Sequence, residues 1–147
     1  MKQWLLASLA AAFLFGAYNI FAKMAAGRMT DAMAAFILEF SAAMLVLVYI
    51  LFGRSIKLDI ASITGKGMLY AILGGLFIGG GSIFYFYAFR HHAPLAIAGP
   101  IIFAGATLIM VISGLIFFRE RLDLVTAAGI ILTIAGIFLL SISANRG

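Results

Sequence analysis

The chain has 147 residues, 65% of them hydrophobic and only 10% charged, with a formal net charge of +5 and a mean hydropathy of +1.20. Soluble domains average about 45–50% apolar and about 25% charged residues, which excludes a water-soluble globular domain and a disordered chain alike. With no cysteine, disulfide frameworks and thiolate metal sites are excluded, and the ten Lys and Arg, scattered between apolar runs, mark span ends rather than a nucleic-acid surface.

A bilayer core about 30 Å thick takes around 20 apolar residues in a helix. Five stretches meet that length and predict an all-α fold, a polytopic bundle of five transmembrane helices forming one domain over residues 1–147. Runs such as Ala42–Leu51 and Leu108–Phe118 do not alternate, which argues against a membrane β-barrel.

The first span runs from Trp4 to Ala22, between Lys2 and Lys23. It exceeds the apolar core of a signal peptide, roughly 7–15 residues, and Lys23 separates it from the small-residue stretch Ala25-Ala26-Gly27. An uncleaved membrane helix is predicted.

The second span covers Ala32 to Phe52, between Asp31 and Arg54, and contains Glu39. Eight residues beyond Asp31, Glu39 lies about 12 Å further along the axis. A carboxylate at that depth is costly unless protonated, paired or hydrated. Ala32, Ala35, Ala42, Ala43 and Val46 share its stripe, with Phe36 the one large residue there, a face suited to helix packing. If the first hairpin turns near Arg28, Glu39 falls level with Tyr18 and Asn19, with Lys23 more than one turn nearer the surface. Two readings stand. Either Glu39 titrates or binds cation or substrate in a cavity shared with Tyr18, Asn19 and Lys23, or it forms a structural link to Lys23 or Asn19.

The third span, Gly67 to Phe89, is flanked by Lys66 and Arg90. Gly75 and Gly79 form a GxxxG pair that permits close helix approach. Gly79, Gly80 and Gly81 fall near the middle of the span, where lost helix propensity marks a candidate hinge or a backbone opened to a cavity. Ser82 and Tyr85 follow three residues apart and complete the set of candidate substrate- or ion-binding residues, while Tyr87 suits an interfacial anchor.

The fourth span runs from Pro94 to Phe118, between His92 and Arg119. Pro100 removes one backbone bond within it and is a further hinge candidate. Adjacent His91 and His92 do not face each other on a helix, so no metal site is expected there. Neither a cofactor motif nor a nucleophile–base spacing is found, and an enzyme is not expected. The fifth span, Leu124 to Ala144, lies between Asp123 and Arg146. Its Ala128, Gly129, Ala135 and Gly136 are candidate dimer contacts.

Lys2, Arg54, Lys57, Lys66, Arg119 and Arg121 share the N-terminal side, against Lys23, Arg28, Arg90 and Arg146 on the other. That small excess favours a cytoplasmic N-terminus and leaves insertion in both orientations open.

Several motifs occur in a telling order. Phe15-Gly16-Ala17-Tyr18-Asn19-Ile20-Phe21-Ala22-Lys23 comes first, then Tyr87-Ala88-Phe89 and Ala93-Pro94-Leu95-Ala96-Ile97-Ala98-Gly99-Pro100. Phe118-Arg119-Glu120-Arg121-Leu122 and the stretch from Gly129 through Gly136-Ile137-Phe138-Leu139-Leu140 complete the series. In this the chain resembles a single EamA-type unit of the drug/metabolite transporter superfamily. The resemblance implies half of a ten-helix inverted-repeat transporter, working by alternating access without ATP or a cofactor. It does not supply a substrate; the leading expectation is a secondary transporter that exports a small metabolite or amino acid from the plasma (bacterial inner) membrane. One departure is Glu39, where family members often carry Arg.

The expected partners are the lipid bilayer, a small-molecule substrate and a second copy of the chain, antiparallel if the ten-helix unit is rebuilt by opposite insertion. Nucleic acid is not among them. The rival readings are a proton-coupled, multidrug-like cation exporter using Glu39 and a non-transporting membrane scaffold or regulatory subunit.

Overall fold

The computed structural model describes residues 3–53 and 63–144. Lys2, Arg54, Lys57, Asp59 and Arg146 lie outside the described residues. Within them the chain forms α1 (Gln3–Ala25), α2 (Asp31–Gly53), α3 (Gly65–Arg90), α4 (Leu95–Ile116) and α5 (Leu124–Ala144), with no strand among the described residues. All five are long and apolar enough to cross a membrane.

The helix ends follow from local hydrogen bonding. The turn after α1 passes through Gly27 at φ +78°, a left-handed conformation that glycine adopts without steric cost. Helix α3 starts two residues before the predicted span because the Thr64 hydroxyl caps it, accepting from the Gly67 amide at 3.1 Å. Helix α4 stops at Ile116 rather than Phe118. There the Phe117 amide returns to the Ser113 carbonyl at 2.8 Å, the chain turns left-handed at Arg119 (φ +52°), and the Glu120 amide closes onto the Gly114 carbonyl at 3.0 Å.

The chain divides into two compact units, one ending at His92 and the other beginning at Ala93. In the first, α3 packs against both α2 and α1. Ala22, Ala34 and Ala35 are buried, and such small side chains let helices approach closely. Opposite them α3 buries Ser82, Tyr85, Phe86 and Phe89, the i, i+3, i+4, i+7 stripe of one helical face. Large apolar side chains elsewhere are exposed, Phe77 at 82% and Phe84 at 76%, as helices facing lipid require. Through Gly79, Gly80 and Gly81, α3 is an unbroken helix, with no neighbouring atom within 4 Å of any of the three Cβ positions. A side chain added at any of the three would meet open space.

In the second unit α4 packs on α5. Pro94 stands at the N-cap of α4 and Pro100 lies within it. Asp123 caps α5, its Oδ1 accepting from the Thr126 amide at 2.7 Å. Hydrogen bonding from Thr126 holds the Asp123 carboxyl below the usual carboxylate range. Ala128, Gly129 and Ala135 are exposed on α5, and Gly136 is half-buried.

Candidate functional site

The site is built on α3, which serves as a ruler for the other two helices of its unit. The Ser82 hydroxyl donates to Glu39 Oε1 at 2.5 Å. Eight residues further along α3, Arg90 Nη2 pairs with Asp31 Oδ2 at 2.8 Å, eight residues back along α2. One antiparallel register between α2 and α3 explains both contacts. Against α1 the register is parallel. The Tyr85 hydroxyl donates to Asn19 Oδ1, and one turn on, Lys23 Nζ lies 4.8 Å from the centre of the Phe89 ring.

These contacts form a ladder from the helix ends inward. Arg90 and Asp31 stand at the end, with Lys23 over Phe89 next to them. Tyr85 with Asn19 follows a turn deeper, and Ser82 with Glu39 is the innermost rung, about 12 Å along the axis from the ion pair. Ser82 and Tyr85 are buried, while Glu39, Asn19, Tyr18 and Lys23 are half-buried. The Asn19 amide uses both ends, its Nδ2 donating to the Phe15 carbonyl at 2.5 Å. Tyr18 packs its ring 5.7 Å from that of Tyr85 and lies within electrostatic reach of Glu39. Phe86 and Phe89 fix the Tyr85 ring from two directions, with centroids at 5.9 and 4.6 Å.

All six candidate binding residues, Glu39, Asn19, Tyr18, Lys23, Ser82 and Tyr85, therefore occupy this one ladder in the first unit. At the innermost contact Glu39 bonds Ser82, while Asn19 bonds Tyr85. Read against α3, Asn19 also stands about one turn nearer the helix ends than Glu39 rather than level with it. The hinge candidate Pro100 and the dimer candidates on α5 belong to the second unit.

Sequence reasoning did not find the Asp31–Arg90 pair or the role of Phe86 and Phe89. The 82, 85, 86, 89 spacing carried the signal for the aromatic residues. The Asp31 side chain is 12% exposed, and its Oδ1 is buried without a hydrogen-bond partner. Arg90 also lies over the Tyr87 ring at 5.5 Å, a cation–π contact that holds the guanidinium at the end of α3.

Beside the ladder, an open cleft of about 260 Å³ is lined by Tyr18, Ala22, Ala34, Leu38, Ser41 and Phe86 among others. Of the six candidates, Tyr18 is the one on its wall. Among the described residues no group of three or more His, Asp or Glu is placed to hold a metal ion.

Five helices able to cross a membrane, with a hydrogen-bonded carboxyl group well inside one of them, define a multi-pass membrane protein. The chain belongs to the EamA-like transporter family, which it matches over residues 2–142, and so is a membrane transporter of the drug/metabolite kind. Comparison with curated proteins and with solved structures gives no match.

Proposed function

We propose that the chain is a secondary transporter that exports a small metabolite or amino acid by alternating access, as a dimer that rebuilds a ten-helix unit. The observation that carries this reading is the Ser82–Glu39 contact, a charged rung deep in apolar helices with a graded row of polar groups leading to it. Intramembrane carboxylates are costly, and transport pathways are where they are kept. Glu39 is the group that binds or titrates, Ser82 orients its carboxylate, and Asn19, Tyr18, Tyr85 and Lys23 line the approach. Gly79, Gly80, Gly81 and Pro100 supply the bending, and Ala128, Gly129, Ala135 and Gly136 face the second copy.

The test is reconstitution into liposomes with a panel of amino acids and other small metabolites, with and without a pH gradient. Wild type moves one class of solute, and Glu39→Gln loses the pH-dependent part of that flux. If wild type moves no solute, a scaffold or regulatory subunit replaces this reading; if Glu39→Gln transports normally, Glu39 is structural. Because the innermost group is an acid, a cationic substrate exchanged for protons is the second reading. Lipophilic cations in the same panel separate the two. Tagging both termini tests the antiparallel arrangement, which requires each terminus on both faces of the membrane.

A further inference from the structure

The second unit carries a feature that transport through the Glu39 ladder leaves unused. Between α4 and α5 lies an open groove of about 410 Å³ with an apolar wall that includes Leu108, Val111, Leu115, Ala127 and Ile134. Leu108 to Leu115 and Ala127 to Ile134 are each seven steps along a helix, so the groove follows the helices for about 10 Å. With so little polar surface it offers no partners to a water molecule, whereas a hydrocarbon chain would regain the dispersion contacts its walls lack.

Leu122 also lines the groove, and it sits in the turn that joins the two helices. That turn carries Arg119 and Arg121, both exposed and without an ion pair among the described residues. Its two acids are held against the helix ends. The Glu120 carboxylate lies on Gly114, with Oε2 2.7 Å from the place a Cβ would occupy, so glycine there makes room for it. Asp123 is engaged by the Thr126 amide. Two exposed arginines thus precede Leu122 in sequence, in the turn at one end of an apolar groove on a membrane helix pair, while the two acids of that turn are engaged at the helix ends.

We propose that this groove binds one anionic phospholipid, with an acyl chain along α4 and α5 and the phosphate on Arg119 and Arg121. Guanidinium groups match phosphate oxygens in a bidentate geometry, and basic pockets between transmembrane helices favour acidic head groups. A zwitterionic lipid offers the same chain, but its ammonium offsets the phosphate charge.

Native mass spectrometry of the purified full chain, incubated with phosphatidylglycerol or phosphatidylcholine, tests this site. Wild type retains one phosphatidylglycerol per chain and holds phosphatidylcholine more weakly. The R119Q/R121Q variant weakens phosphatidylglycerol retention by about 30-fold, roughly fivefold per arginine, and leaves phosphatidylcholine unchanged. Ala127→Phe, which fills the groove without touching the charges, lowers retention of both lipids while helical circular dichroism is preserved. Equal retention of the two lipids by wild type overturns the proposal, as does wild-type phosphatidylglycerol retention in either variant. An Ala127→Phe variant that keeps its lipid but loses a dimer assigns the groove to a second copy of the chain instead.

Discussion

Glu39 and Ser82, 43 positions apart in the chain, share a hydrogen bond of 2.5 Å in the interior of the first unit, in the register that also joins Asp31 to Arg90. Replacing Ser82 with Ala removes the donor and leaves Glu39 Oε1 without it. Hydrogen bonds to charged groups contribute about 1.5–3 kcal/mol. Ser82→Ala is expected to lower unfolding stability by an amount in that range, measured on the purified protein in detergent, with Ser82→Thr recovering part of it. Equal stability of wild type and Ser82→Ala would show that the carboxylate does not depend on this hydroxyl.

The Tyr85–Asn19 contact calls for a double-mutant cycle, because Asn19 also bonds the Phe15 carbonyl. Tyr85→Phe keeps the buried ring and deletes only the hydroxyl. Polar contacts between membrane helices couple by about 0.6 kcal/mol on average and reach about 1.7. A coupling of that size between Tyr85→Phe and Asn19→Ala is expected, with the Asn19 variant the more destabilising alone. Strict additivity of the two changes would remove the contact as a stabilising element.

At the end of the ladder, the two partners of the ion pair differ in burial, Arg90 at 46% and Asp31 at 12% exposed. Arg90→Gln leaves a buried carboxylate whose other oxygen already has no partner. Its cost is expected at about 1–3 kcal/mol, below that of a fully buried pair because solvent screens Arg90. Asp31→Asn should cost less, and the double variant should recover part of the Arg90→Gln loss. Thermal unfolding of the four proteins orders them, and an Asp31→Asn variant weaker than Arg90→Gln would contradict the asymmetry.

Asp123 gives a pH dependence of defined sign. Its carboxyl is held below the ordinary value of 3.8 in the folded protein by Thr126, so the unfolded chain takes up the proton first as pH falls. The contribution to stability is fully present above the unfolded value and is lost as pH drops through the lower, folded one. Protection of the Thr126 amide, taken as exchange relative to its intrinsic rate at the same pH, should therefore fall as pH drops through that window. Asp123→Asn retains the cap without the pH dependence, and Asp123→Ala speeds exchange at every pH. An acid response in Asp123→Asn equal to that of wild type would place its origin elsewhere.

Hydropathy and the flanking charges were enough to locate the helices, because each span carries its own signal in about 20 contiguous residues. The end of α4 was not legible from them. Phe117 and Phe118 extend the apolar run, and the helix stops on backbone bonds to Ser113 and Gly114 that hydropathy does not encode. The six polar candidates stood out because polar groups are rare within spans, yet their pairing was not readable. The chain carries no marker of how far α3 slides against α2, and that sliding decides which α3 side chain Glu39 meets. The Asp31–Arg90 pair shares this register, so recognising either contact would have supplied the other.

Gly79, Gly80 and Gly81 sit immediately before Ser82, in a helix that nothing crowds at those positions. Each glycine costs roughly 1 kcal/mol of helix propensity relative to alanine. Among the described residues nothing lies within 4 Å of their Cβ positions, so low helix propensity is concentrated next to the innermost rung. A bend at this point would swing Ser82 relative to α2 and leave the part of α3 before it in place. The distance from Ser82 to Glu39 would therefore report any such bend of α3.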